Sequence, residues 1–208
     1  MNRIVYLHGF ASGPGSKKAQ YFARRLLERG VTLEVPDLAE GDFENLTVTR
    51  QLQVVERVCG KEAVCLMGSS LGGYLAALYA ARHSEVEKLV LMAPAFSFVT
   101  RWPKALGAER FEEWKNTGFL AVPHYGTGGE QRVSYRLMED GRFYEDYPKF
   151  FQKALIFHGK NDTVVPPGMS ITFSQQHANT TLRLMDSDHE LLDVQDAMWA
   201  EIQPFLGV

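Results

Sequence analysis

Cysteine is nearly absent from this chain: Cys59 and Cys65 are the two among 208 residues. Two thiols at this spacing match no zinc signature, and no His-x-x-x-His pair accompanies them. They read as reduced, buried thiols of a cytoplasmic protein, which leaves neither a disulfide scaffold nor a metal site. An excess of charge is missing as well. Lys and Arg number 22 against 25 Asp and Glu, a net charge of −3. The charges are scattered, which excludes a nucleic-acid footprint and a basic membrane patch. No apolar run approaches the roughly 20 residues of a membrane span. The chain enters a short strand at 3–7 without the apolar stretch of a signal peptide. The expected partner is therefore a small molecule, and the expected location is the cytoplasm.

Apolar residues make up 45% of the chain, enough for a large core in one domain over 1–208. Short apolar runs alternate with helical patterns. Strands are expected at 4–8, 32–36, 63–67, 88–92, 154–158 and 181–185. They are rich in Val, Ile and Leu without clean alternation, as in strands buried on both faces of a parallel sheet. Helices are expected at 16–29, 47–58, 71–82, 168–177 and 194–205, the first stopping at Gly30. This order implies an α/β fold, a doubly wound and mainly parallel sheet of about six strands. One segment breaks the rhythm. Residues 95–150 hold 12 of the 24 aromatics and no clear buried strand. They are expected to form a small, mostly helical cap insert, its rings divided between a core of its own and an apolar pocket. Gly126-Thr127-Gly128-Gly129 reads as a hinge or loop inside it, and lacks the Lys-Ser/Thr ending of a phosphate loop.

Chemistry concentrates in Gly68-Ser69-Ser70-Leu71-Gly72-Gly73, directly after the apolar run at 63–67. The G-x-S-x-G spacing alone arises by chance with a probability of about 0.07 in a chain of this length. Its place between a strand and a helix gives it meaning: a nucleophile elbow with Ser70 at the apex. Gly68 and Gly72 leave room for the neighbouring strand and helix. A serine hydroxyl is a weak nucleophile and needs a base and an oxyanion pocket. The Leu71 amide, at the start of the following helix, is the first oxyanion donor. The second is expected from His8-Gly9-Phe10 after the first strand, with the Phe10 amide favoured over Ala11 and His8 bracing the loop.

Six histidines are candidates for the base. Ligands sit at the carboxyl ends of strands in a doubly wound sheet, which favours His189 in the polar loop Met185-Asp186-Ser187-Asp188-His189-Glu190. His83 and His177 fall at the wrong ends of their helices, and His124 lies in the insert. The acid that orients His189 is expected after the preceding strand. Asp162, in His158-Gly159-Lys160-Asn161-Asp162, is favoured there over Asp186, Asp188 and Asp193.

These residues resemble the α/β-hydrolase superfamily, and more closely the small YqiA-type esterase family of bacterial proteins. Three stretches carry the resemblance. They are Tyr6-Leu7-His8-Gly9-Phe10 with Ser12-Gly13-Pro14-Gly15-Ser16-Lys17, Gly68-Ser69-Ser70-Leu71-Gly72-Gly73-Tyr74, and His158-Gly159-Lys160-Asn161-Asp162. Asp188-His189 agrees, and so does the chain order Ser, Asp, His. The match spans both halves but not the aromatic insert. It implies a hydrolase of esters or thioesters, with Ser70, His189 and Asp162 as its triad and no cofactor. Acyl transfer and a catalytically inactive binding protein remain open, because one fold hosts many functions.

Overall fold

Apolar residues that do not alternate in hydropathy alternate in destination. The computed structural model describes residues 3–208. In the first strand, β1 (Arg3–Leu7), Ile4 and Tyr6 enter one core while Val5 and Leu7 enter another. The same division holds in β3 (Val64–Ser69), where Cys65 and Met67 face away from Val64 and Leu66, and in β4 (Val86–Met92). With β2 (Leu33–Glu34), β7 (Lys153–Gly159) and β8 (Thr180–Met185) they form one parallel sheet in the order β2-β1-β3-β4-β7-β8. Each face is covered by helices, so the four inner strands β1, β3, β4 and β7 bury both of their sides.

All six expected strands are present. The run at 32–36 contributes only Leu33 and Glu34, an edge pair against Ile4 and Val5. Pro36 has no N–H to extend that pairing.

On one face lie α1 (Lys17–Leu27) and α8 (Gln195–Leu206), which contribute Phe22, Leu26, Trp199 and Ile202 to a shared core. Ser16 caps α1 by accepting from the Ala19 amide at 3.3 Å. The helix ends at Leu27, before the expected Arg29, and Gly30 completes the turn at φ +71°. The other face carries α2 (Val48–Cys59), α3 (Leu71–Ala80) and α7 (Gly168–Gln176). Every residue of α3 is buried, which explains a helix with almost no polar side chains.

The segment between β4 and β7 contains α4 (Phe98–Leu106), α5 (Ala108–Thr117) and α6 (Arg136–Gly141). It also contains an antiparallel hairpin, β5 (Phe119–His124) with β6 (Gly129–Ser134), where no strand was expected. Burial along β5 alternates, with Leu120, Val122 and His124 inward and Phe119, Ala121 and Pro123 outward. Its apolar run Phe119-Leu120-Ala121-Val122 is cut short by Pro123, and only every second residue of it is buried. The expected hinge at 126–129 is the end of this hairpin. Among the described residues, no helix is long and apolar enough to cross a membrane.

Candidate active site

Strand order changes direction between β1 and β3, since β2 lies outside β1 and β4 outside β3. Loops that leave such a switch point at the carboxyl ends diverge and open a crevice. Ser70 stands there, between the end of β3 and the start of α3, with φ +54° and ψ −119°. The elbow is held in this conformation by hydrogen bonds from both directions. Its amide donates to Met92 O at 2.9 Å and its carbonyl accepts from the Ala95 amide at 3.0 Å. A Cβ on Gly68 would lie 2.8 Å from Gly73 Cα, and one on Gly72 would collide with the carbonyl oxygens of Leu7 and His8. The turn closes only because both positions are glycine.

The structure brings Ser70, His189 and Asp162 together from three separate loops. His189 Nε2 lies 3.1 Å from Ser70 Oγ, and His189 Nδ1 lies 2.7 Å from Asp162 Oδ2. The His189 side chain is 19% exposed, while that of Asp162 is fully buried. Asp162 Oδ1 accepts from the amides of Val164 and Val165, both at 2.8 Å. Burial alone would raise the Asp162 pKa. Hydrogen bonds from His158 and His189 outweigh it and hold the carboxyl well below the usual carboxylate range. The proton between the two residues therefore belongs to His189 Nδ1, which leaves Nε2 to accept from Ser70.

The rival acids are engaged elsewhere. Asp188 Oδ1 accepts from the amides of Glu190 and Leu191, shaping the turn that carries His189. Asp186 accepts from Asn161, and Asp193 bonds the Ser187 hydroxyl. The other histidines are structural neighbours of aromatic rings. His83 stacks on Tyr79, His177 stacks on Phe173, and His124 meets Phe43 edge-on.

His8 grips the loop after β1. Its Nε2 accepts from the Leu38 amide at 3.2 Å, so its proton sits on Nδ1, 3.0 Å from Gly9 O. Burial lowers the His8 pKa, in keeping with a neutral ring. A trans peptide points its C=O and N–H in opposite directions. Holding Gly9 O therefore fixes the direction of the Phe10 amide. That loop runs against the elbow: a Cβ on Gly9 would lie 3.4 Å from Ser70 Cβ. The Leu71 amide opens α3 and has no carbonyl acceptor within its own helix.

One participant escaped the sequence reading. His158, fully buried at the end of β7, points Nε2 at both Val165 O (2.8 Å) and Asp162 Oδ2 (3.1 Å). Two acceptors require a proton on Nε2, so Nδ1 accepts from the Ser170 hydroxyl at 2.7 Å. One carboxylate thus carries two imidazoles. The spacing His158 to Asp162 was visible in the sequence, but nothing in it marked the pair as a contact. Replacing His158 with leucine is expected to cost about 1–3 kcal/mol at neutral pH, because Asp162 and Ser170 each lose a partner. A depressed folded-state pKa adds stability above the ordinary carboxylate value, and that stability fades as the pH falls toward the folded value. Without His158 the depression shrinks, so the variant should lose less stability than wild type between about pH 5 and about pH 3. Urea unfolding across that range measures both effects.

A cavity of about 970 Å³ opens over Ser70 and His189. Phe10, Leu71, Phe98, Trp102 and Val122 supply an apolar wall. Trp102 meets Phe10 edge-on at 5.1 Å and Trp114 at 5.2 Å, linking that wall to rings buried deeper in the segment between β4 and β7. Trp114 is fully buried and donates to Val133 O at 3.0 Å.

No curated protein matches the chain significantly. Solved structures do. Mouse alpha/beta hydrolase domain-containing protein 10 superposes with a TM-score of 0.82 at 21% identity, covering 98% of this chain and 89% of its own. Est1E from Butyrivibrio proteoclasticus, with ferulic acid bound, gives 0.79 at 19% identity, with 99% and 88% covered. The monoacylglycerol lipase of Paleococcus ferrophilus gives 0.76 at 18% identity, with 98% and 93% covered. At these identities the likeness shows the fold, which is that of the α/β hydrolases. The resemblance to YqiA-type proteins agrees with the family match: this chain, over residues 3–206, belongs to the family described as Uncharacterised protein family (UPF0227).

Proposed function

We propose that the protein is a serine hydrolase of carboxylic esters or thioesters. The observation that carries this reading is the continuous hydrogen-bonded chain from Ser70 Oγ through His189 to the buried Asp162. Ser70 Oγ attacks the acyl carbon while His189 Nε2 takes its proton. Negative charge gathers on the carbonyl oxygen, where the Phe10 and Leu71 amides receive it. The tetrahedral intermediate collapses, the C–O or C–S bond breaks, and His189 returns the proton to the departing alcohol or thiol. Water then gives its proton to His189, attacks the acyl-enzyme, and releases the acid with Ser70 restored. Asp162 stays ionised throughout and steadies the imidazolium.

The segment 95–150 acts in this reading as a cap whose Phe98, Trp102 and Val122 hold an apolar acyl group. Cys59 and Cys65 are buried and form no disulfide among the described residues, which suits a reducing, cytoplasmic setting. A fluorophosphonate probe should label Ser70 stoichiometrically, read by intact mass and peptide mapping. Absence of labelling on folded protein would overturn the assignment and favour a binding protein. Product analysis of a cleaved ester in the presence of competing alcohols separates hydrolysis from acyl transfer.

A further inference from the structure

The cavity over Ser70 carries a cation that forms no ion pair among the described residues. Arg101 lies on α4 beside Trp102 and lines the cavity. Its Nη1 donates to Val164 O at 2.6 Å, in the loop that begins at Asp162. Its Nε is buried and has no acceptor. Among the described residues Nη2 has none either, and Arg101 forms no ion pair. The rest of the lining is charge-balanced. Lys17 and Lys18 share it with Asp188 and Glu190, and Lys18 Nζ already donates to Glu190 O at 2.8 Å. Burial lowers the Arg101 pKa, with Asp162 opposing the shift, so the guanidinium is partly desolvated beside the candidate triad. A guanidinium stays charged even so. Desolvating a charge and leaving a buried donor unpaired both cost free energy, and such groups persist where a ligand satisfies them. Arg132 pairs with Glu44 at 2.8 Å, Arg142 donates to Tyr135 OH and Arg110 to Ala121 O, and none of the other arginines of the segment between β4 and β7 lines the cavity.

We propose that Arg101 is an anion subsite of this cavity, and that the substrate carries a carboxylate or phosphate group in addition to its scissile acyl bond. The claim that this substrate is an ester or thioester rests on the hydrolase reading; the anion site does not. Nη2 meets the oxyanion, with Nε beside it on the same edge of the guanidinium. Phe10, Phe98 and Trp102 take the apolar portion between the anionic end and the acyl bond.

Isothermal titration of the protein with adipate, butyl phosphate and the neutral hexanamide tests this without requiring turnover. At least one anion should bind about tenfold or more tighter than hexanamide, as expected for a charge-assisted pair. The tighter of the two anions identifies the oxyacid. Arg101→Met should remove that advantage, and Arg101→Lys, which keeps the charge without the fork, should retain part of it. Circular dichroism checks folding, and the lysine variant serves where the methionine variant misfolds. The proposal is overturned if neither anion outbinds hexanamide, or if the Arg101 variants bind the anions as wild type does. Anion binding through Arg101 on a protein whose Ser70 resists fluorophosphonate would preserve the subsite and sink the hydrolase. Labelled Ser70 with no anion preference would do the reverse.

Discussion

Ser70→Ala is expected to lower the turnover of an activated ester by about 10⁴-fold or more, and to abolish fluorophosphonate labelling. The variant should remain folded. Ser70 holds its backbone through its amide to Met92 O and its carbonyl to the Ala95 amide, and alanine keeps both bonds. The strained φ of +54° is equally costly for serine and alanine, so the substitution neither relieves nor adds strain. The loss would therefore report chemistry alone: no oxygen remains within reach of His189 Nε2. Residual activity would come from water attacking a carbonyl held against the Phe10 and Leu71 amides. Initial rates with p-nitrophenyl butyrate, alongside urea unfolding, provide the check. Turnover within tenfold of wild type would remove Ser70 from the mechanism.

Asp162→Asn should cost about 10³- to 10⁴-fold in kcat, and the reason is a conflict of hydrogen-bond direction. The carboxylate accepts from four donors: two amides on Oδ1, and His189 Nδ1 and His158 Nε2 around Oδ2. Asparagine keeps one acceptor oxygen, which the Val164 and Val165 amides hold. Its NH2 group then faces two imidazole N–H groups. His189 relieves the clash by moving its proton from Nδ1 to Nε2, the nitrogen that must accept from Ser70. Asp188→Asn presents no such conflict, because its Oδ1 still accepts from the Glu190 and Leu191 amides. Its loss should be far smaller. Equal losses in the two variants, or a larger loss at Asp188, would show that Asp162 is not the orienting acid. Steady-state kinetics of both variants, with folding verified, discriminate the outcomes.

Much of the site was legible in the chain because its chemistry is encoded locally. Gly68, Ser70 and Gly72 sit within five residues, and each glycine answers a close approach that the structure contains. His189 and Asp162 could be inferred from strand order, since each follows a strand that ends on the same edge of the sheet. The hairpin at 119–134 was not legible. Its inward residues alternate with outward ones, Pro123 interrupts it, and it pairs only with itself. His158 was overlooked for another reason. Its role follows from the path of the loop and of α7, which fold back to bring Val165 and Ser170 against the ring.

The sequence by itself determined the alternation of strand and helix and the elbow, and pointed to the serine, histidine and aspartate that the structure brings together. Those features depend on hydropathy, glycine placement and chain order, all of which act over short stretches. Tertiary structure alone decided that Asp162 is shared by two imidazoles, that Phe98 and Trp102 line a cavity while Trp114 fills a core, and that Arg101 forms no ion pair among the described residues. These depend on which distant groups meet. Hydrogen bonds and charges act at a few ångströms, and the sequence does not display that proximity until the sheet has brought its loops to one edge.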